Sequence, residues 1–225
     1  MSPMACGLVH MELHRGDGSL GTFLGVHAGG LAMQAIAMCG SEEQRARWLP
    51  SMSTLDRIGA FALTEPDHGS DSVALETSAR RAGDHWVLDG RKRWIGNATI
   101  ADLVVVWARD TASGEVKGFV VETPAEGFEA TAITGKLSLR SIQQADVTLT
   151  GVRVPDENRL VDARTFDDCA RVLANTRAIC AWMALGTRPR DTTRRCAMRR
   201  SVTSSGSRWR RSRSCSSGWC TCWRT

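Results

Sequence analysis

The chain has 225 residues, of which 42% are hydrophobic and 24% are charged, and its formal net charge is +5. This composition supports a sizeable hydrophobic core and argues against an intrinsically disordered protein. No uninterrupted apolar run approaches the ~20 residues of a membrane span, and residues 1–7 do not open a signal peptide. We therefore expect a cytoplasmic protein without a membrane span.

The positive charge is confined to the end of the chain. Residues 187–225 hold 11 of the 29 basic residues and one of the 24 acidic residues, whereas residues 1–186 are acidic on balance. The same segment has no Leu, Ile or Phe, so no amphipathic helix or strand can be drawn through it. The composition predicts that globular sequence ends near Gly186 and that residues 187–225 form a disordered basic tail.

Three interpretations of this tail remain open. Arginines with interleaved tryptophans are suited to nucleic acid, and four cysteines are suited to zinc, although they lack a paired Cys-x-x-Cys spacing. The third interpretation is translation out of frame. A shift of one base converts Trp219–Arg224 into Leu-Val-(His or Tyr)-(Met or Leu)-Leu-Ala, which has the apolar spacing of a helix. The sequence favours this third interpretation, so nucleic acid is not an expected partner. The four cysteines are Cys196, Cys215, Cys220 and Cys222.

Residues 1–58 are predicted to form a partial N-terminal helical domain. Apolar residues recur there at helical intervals, and Ser41 with Gln44 three residues later forms the capping box of a helix. Pro50 is expected to end or bend that helix, because proline has no backbone N–H group. His10 and His14 lie one helical turn apart without a third ligand. We therefore expect them on a solvated helix face and predict no metal site.

Residues 59–162 change to the pattern of a β domain. Short runs of β-branched and aromatic residues, such as 103–107 and 119–121, alternate with turn sequences such as Asp89-Gly90. This spacing predicts an antiparallel barrel or sandwich. Residues 163–186 return to helical spacing and are predicted to be the first helix of a C-terminal helical bundle. The fold class is therefore α+β, followed by the tail.

Two segments of the β domain carry chemistry. In Phe61–Asp71 an apolar strand runs into Pro, Gly and Ser, which exposes backbone N–H groups and hydroxyls able to hold a phosphate or the polar edge of a ring. In Lys92–Asn97 a large flat aromatic, Trp94, follows two cations at the end of a strand. Each segment alone also fits a structural explanation, namely a Ser/Thr turn with a capping Asp71 and a core tryptophan.

Together and in this order, the two segments resemble the acyl-CoA dehydrogenase family, and in particular its glutaryl-CoA dehydrogenase branch. The resemblance extends over residues 4–186. It implies a flavoprotein that binds FAD and removes hydrogen from the α- and β-carbons of an acyl-CoA thioester. It also implies a homotetramer that is reoxidised by an electron-transferring flavoprotein. Further matching segments are residues 40–45, 49–50, 101–109, 135–140 and 151–158.

The resemblance also implies site residues, carried over position by position. A guanidinium on the helix lining the coenzyme A site suits a ligand that carries phosphates. The substrate residues implied are Ser70, Asn175 and Arg177. The cofactor-binding residues implied are Phe61, Leu63, Thr64, Gly69, Ser70, Trp94, Ile95 and Gly96.

Several positions depart from the family pattern. The family's catalytic base lies in a C-terminal domain that this chain does not encode in frame, so no residue is predicted as the base. Glu65 belongs to the flavin loop. Gly96 stands where Thr is usual, and Gly21 stands where the glutaryl branch has Arg, which argues against a dicarboxylic substrate.

The chain is accordingly expected to be an inactive fragment, shortened at its N-terminus, of an acyl-CoA dehydrogenase. Two alternatives remain open. One is a relative of the acyl-CoA oxidases, and the other is a non-enzymatic protein that binds nucleic acid through the basic tail.

Overall fold

The computed structural model describes the backbone of residues 2–201 and the side chains of Ser2 and residues 4–187. The predicted helical N-terminal part is confirmed and contains four α-helices with a π-helical turn between the second and the third. The helices are α1 (Pro3–Gly16), α2 (Gly18–Leu24), α3 (Ala32–Cys39) and α4 (Glu42–Ser53), and the π-helical turn is Gly25–Gly29.

Helix α4 begins at the predicted capping box. The Ser41 hydroxyl accepts a hydrogen bond from the Gln44 N–H at 3.2 Å, and the Gln44 side chain accepts one from the Ser41 N–H at 2.9 Å. The helix does not end at Pro50 but continues to Ser53. Trp48 and Met52, on either side of the proline, are fully buried, and their packing outweighs the ~3 kcal/mol cost of proline in a helix.

One helical stretch among the described residues, Gly18–Cys39, is long and apolar enough to cross a membrane by length and composition alone. No single apolar run extends through it, so the sequence pattern did not predict it. The stretch is divided into α2, the π-helical turn and α3. Ala32, Ile36 and Cys39 of α3 are fully buried in the protein core.

His10 and His14 are buried rather than on a solvated face, and each is about 4% exposed. A Cβ at Gly29 would lie 2.1 Å from Nε2 of His10, and a Cβ at Gly21 would lie 2.1 Å from Nδ1 of His14. The two imidazoles therefore occupy space that these glycines leave open. This close approach has no signature in the spacing of the histidines, which is why the expectation was wrong.

Residues 59–155 form a single seven-stranded sheet with the order β1-β4-β2-β3-β7-β6, and β5 pairs with the other edge of β4. Strands β1 and β2 both pair with β4 in parallel, and all other pairs are antiparallel. The predicted β domain is confirmed, but the sheet is mixed rather than purely antiparallel. The alternation of apolar and polar residues predicts where strands lie in the sequence. It does not show which strands pair or in which direction. The strands are β1 (Gly59–Ala62), β2 (Ser78–Ala82), β3 (His85–Gly96), β4 (Leu103–Asp110), β5 (Val116–Glu122), β6 (Phe128–Ala132) and β7 (Gln144–Pro155).

Both faces of strand β4 are buried, which explains its continuous apolar run. Leu103, Val105 and Trp107 belong to a core cluster shared with the N-terminal helices, whereas Val104 and Val106 belong to a second cluster on the opposite face of the sheet. Successive side chains of a strand point to opposite faces. The first cluster therefore joins the helical layer to the sheet.

Helix α5 extends over Phe166–Ser201, so it begins three residues later and ends fifteen residues later than the predicted helix 163–186. The disordered tail predicted for residues 187–225 stays a prediction. Residues 202–225, where the rest of the predicted tail falls, lie outside the described residues.

His27 joins the helical layer to strand β1. The Gly59 N–H donates to His27 Nδ1 at 2.8 Å, so the proton resides on Nε2, which donates to the Met52 carbonyl at 2.9 Å. Burial lowers the pKa of His27 below its usual value, and the hydrogen bond to Met52 only partly opposes this. Burial, followed by the neighbouring His14, likewise lowers the pKa of His10.

We expect the free energy of unfolding to fall as the pH drops below about 6.5. Both histidines have a lower pKa in the folded chain than in the unfolded chain, so the unfolded chain binds more protons in the interval between the two values. The expected loss is up to about 1.4 kcal/mol per pH unit for each histidine. Urea unfolding at pH 7.5 and pH 5.5 measures it, and His10→Leu should reduce the slope. Identical midpoints at the two pH values would contradict the prediction.

Candidate functional site

A cleft of about 170 Å³ lies where the ends of β1 and β3 meet the helices. Six of the eight predicted cofactor-binding residues line it, and all six come from the two segments singled out in the sequence. The other three lining residues lie in or next to helices and were not predicted, since apolar residues of a helical layer give no signal of a site. The lining residues are Val26, Leu31, Phe61, Leu63, Thr64, Trp94, Ile95, Gly96 and Leu173.

Strand β1 ends at this cleft, and the residues that follow it have unpaired hydrogen-bond donors. Its ladder to β4 ends at the pair Ala62–Val106. Among the described residues, the backbone N–H groups of Leu63 and Thr64 and the Thr64 hydroxyl have no hydrogen-bond partner. Leu63 is buried, and unpaired N–H groups are rare in protein interiors. Both residues line the cleft, so unpaired hydrogen-bond donors lie at its edge.

Trp94 lies on an irregularity of strand β3. The register between β3 and β7 shifts between Lys92 and Ile95, and Trp94 has a φ of +63°, which is unusual for an aromatic residue. Its side chain is 47% exposed, with the Arg93 guanidinium 5.3 Å from the ring centroid. Bulges commonly redirect a side chain at a functional site. The alternative of a core tryptophan is therefore wrong, and the ring is presented at the cleft.

Gly96 allows the helical layer to approach the sheet closely. A Cβ at this position would lie 3.1 Å from Cγ2 of Val26 and 3.4 Å from Cδ1 of Ile142. A threonine here would require Val26 to shift. The cleft wall at this point is thus formed by Val26 against bare backbone, without a hydroxyl.

A buried ion pair that was not predicted from the sequence lies directly behind the cleft. Lys92 Nζ donates to Glu65 Oε1 at 2.9 Å, to the Leu63 carbonyl at 3.1 Å and to the Trp107 carbonyl at 2.7 Å. Glu65 Oε2 also accepts from the Glu76 N–H at 2.7 Å, and Oε1 accepts from the Thr77 N–H at 2.9 Å. The sequence did offer a signal, because Phe61–Asp71 contains acidic residues and Lys92–Asn97 contains basic residues that could pair with them.

The pair is ionised at neutral pH. Burial by itself disfavours the carboxylate, but Lys92 and the hydrogen bonds from Glu76 and Thr77 hold the pKa of Glu65 below its usual value. Burial lowers the pKa of Lys92 to about 8, opposed by the attraction of Glu65. Because its oxygens are committed to Lys92, Glu76 and Thr77, Glu65 is not free to take a proton from a substrate.

The remaining predicted residues do not line the cleft. Gly69 and Ser70 are exposed on the loop that follows Glu65, which turns away through a hydrogen bond from the Glu65 N–H to the His68 carbonyl at 3.2 Å. Asn175 and Arg177 are exposed on α5 near the lining residue Leu173. Asn175 donates to the Met38 sulfur at 3.3 Å, and Arg177 has no ion pair within the described part of the chain.

No group of three or more His, Cys, Asp or Glu side chains that could hold a metal ion occurs among the described residues. A second cleft of about 240 Å³ is lined in part by Arg47, Glu122 and Asn158. Arg47 there already pairs with Glu122 at 2.6 Å and with Glu157 at 2.9 Å. Its charge is satisfied within the protein.

The fold and the cleft define the class of the protein. Residues 1–56 match the N-terminal domain of acyl-CoA dehydrogenases, and residues 60–152 match the middle domain of the same family. The chain belongs to the acyl-CoA dehydrogenase family, and the resemblance noted in its sequence is confirmed.

Individual relatives agree with this assignment. The short-chain specific acyl-CoA dehydrogenase of Rattus norvegicus mitochondria is 36% identical over 160 residues, which are 70% of this chain and 39% of that protein. A crystal structure of glutaryl-CoA dehydrogenase from Mycobacterium smegmatis matches with a TM-score of 0.79 and 45% identity, over 83% of this chain and 47% of that chain. A second structure from that organism, a complex with FADH2, has a TM-score of 0.79, 39% identity and the same coverage. The chain thus spans less than half of these relatives.

Proposed function

We propose that this chain is the flavin-binding part of an FAD-dependent acyl-CoA dehydrogenase. The observation that carries the proposal is the convergence on one cleft of unpaired donors from Leu63 and Thr64 with the exposed ring of Trp94. A flavin has a flat apolar ring with one polar edge, and this set of groups fits both features. Membership of the family and the FADH2 complex of a relative support the choice of cofactor.

Each residue has a defined part in this proposal. The Leu63 and Thr64 donors bind the polar edge of the ring, and Trp94 with Ile95 and Gly96 bounds its face. FAD would supply the acceptor for the hydride that leaves the β-carbon of an acyl-CoA. The apolar walls from Val26 and Leu31 exclude water and strengthen every polar contact within the cleft.

Groups outside the cleft hold the charged parts of the ligands. Gly69 and Ser70, on an exposed loop, are proposed to meet the phosphates of FAD and the acyl-CoA. Arg177 is proposed to pair with a phosphate of coenzyme A, with Asn175 beside it. An exposed guanidinium without an ion pair in the described part of the chain is suited to bidentate phosphate binding.

Removal of the α-proton requires a base, and no carboxylate lines the cleft among the described residues. We therefore infer that residues 1–225 bind flavin without dehydrogenating a substrate. The intact protein is proposed to be a homotetramer whose flavin is reoxidised by an electron-transferring flavoprotein, as inferred from the family.

Titration of FAD with the purified chain tests the proposal. We expect quenching of flavin fluorescence, because Trp94 lies against the ring, and no reduction of a dye acceptor when an acyl-CoA is added. Trp94→Ala should weaken FAD binding by about fivefold to tenfold, the value of one aromatic contact. Ile100→Ala is the matched control, since Ile100 is an exposed apolar residue that does not line the cleft. Absence of FAD binding, or equal weakening in both variants, would refute the proposal.

A further inference from the structure

Lys92 is a buried cation at the point where strand β1 ends. Its side chain is fully buried, and its three donors contact three acceptors, which are Glu65, the Leu63 carbonyl and the Trp107 carbonyl. An ammonium group has three N–H bonds, so all of them are satisfied. The proposed function assigns no part to this residue.

The ladder between β1 and β4 shows what Lys92 replaces. The Leu103 N–H donates to the Ile58 carbonyl, and the parallel register runs from Gly59–Leu103 to Ala62–Val106. Continued by the same alternation, the next bond would run from the Thr64 N–H to the Trp107 carbonyl. The Trp107 carbonyl accepts from Lys92 Nζ at 2.7 Å, and the Thr64 N–H has no partner among the described residues.

Lys92 also fixes the two walls of the cleft to each other. Its ammonium holds the Leu63 carbonyl at 3.1 Å, and the N–H of the next residue, Arg93, donates to the Thr64 carbonyl at 2.8 Å. The following residue is Trp94, where the strand bulges. Three consecutive residues of β3 therefore connect the two walls. Lys92 and Arg93 bind the backbone of Leu63 and Thr64, and Trp94 supplies the aromatic ring.

We propose that Lys92, with Glu65 as its counter-ion, is a positioning residue that ends strand β1 and keeps the Thr64 N–H available to a ligand in the cleft. The identity of that ligand as a flavin rests on the proposed function. Stability alone is a poor explanation for the pair, because well-packed apolar side chains often replace buried ion pairs without loss of stability.

The test compares Lys92→Met with the double variant Lys92→Met/Glu65→Gln in the full chain. The double variant leaves no unpaired buried charge, so it separates positioning from stability. In both variants the Trp107 carbonyl is released, and we expect the Thr64 N–H to bond to it and to exchange with solvent at least about tenfold more slowly, as measured by NMR. FAD affinity should fall by about tenfold, since one donor to the ring is lost.

Lys117→Met is the matched control. Lys117 Nζ pairs with Asp110 at 2.5 Å on strands β5 and β4, so this variant also loses a partly buried ion pair. It should leave the exchange of Thr64 and the affinity for FAD unchanged.

Unchanged or faster exchange of Thr64 in the folded double variant overturns the inference, and so does an FAD affinity equal to that of the wild type. Failure of the wild-type chain to bind FAD refutes the proposed function alone. The exchange of Thr64 then still decides the role of Lys92, because that measurement needs no ligand.

Discussion

Replacing Lys92 by methionine is expected to lower the free energy of unfolding by about 3–5 kcal/mol at pH 7. The substitution removes a cation that is fully buried and leaves Glu65, 5% exposed, as an unpaired buried carboxylate. Interaction with Lys92 is one of the causes that hold the pKa of Glu65 below its usual value, so without it burial acts against the charged form. The cost therefore comes mainly from the charge that remains.

Urea unfolding of Lys92→Met and of Lys92→Met/Glu65→Gln measures this effect. The double variant should recover most of the loss, because glutamine can still accept from Thr77 and carries no charge. Arg45→Met is the control, since it removes the surface pair with Glu42 at 2.6 Å and should change the unfolding free energy by less than about 1 kcal/mol. A loss below about 1 kcal/mol for Lys92→Met would show that the pair is not required.

Replacing Trp48 by alanine is expected to cost about 3–5 kcal/mol of stability. The indole is fully buried in the core cluster that joins the helices to the sheet, and its Nε1 donates to Glu122 at 3.4 Å. The deletion leaves a large cavity between α4 and the sheet. Because the helical layer supplies Val26 and Leu31 to the cleft, FAD binding should weaken as well.

Trp94→Ala provides the comparison for Trp48→Ala. Trp94 is 47% exposed and packs at the cleft, so its removal should change the unfolding free energy by less than about 1 kcal/mol while weakening FAD binding. Thermal or urea unfolding of the two variants separates a core tryptophan from a ligand-binding one. Equal stability losses in the two variants would contradict the assignment.

The two predictions concern different kinds of support for one cleft. Trp48 holds the helical wall against the sheet by packing, and Lys92 holds the strand ends in register by hydrogen bonds. A loss of packing lowers the stability of the whole domain. A loss of register changes the hydrogen bonding of a single peptide N–H group. Stability and FAD affinity should therefore change together in Trp48→Ala and separately in the Lys92 and Glu65 double variant.

Much of the chain could be predicted from the sequence because its signals are local. The capping box of Ser41 and Gln44, the apolar run of β4 and the turn residues of the β domain each depend on neighbours a few residues apart. The segments around Thr64 and Trp94 were recognisable for the same reason, since backbone donors at a strand end and a nearby aromatic are visible in single short stretches.

Other features were decided only by the tertiary structure. The parallel pairing of β1 with β4, the burial of His10 and His14, and the contribution of Val26 and Leu173 to the cleft each join residues that are distant in the sequence. Whether Lys92 is a solvated surface cation or a buried one depends on which carbonyls the register of two strands places beside it. A composition or a period cannot encode that register, because it is set by the packing of elements against one another.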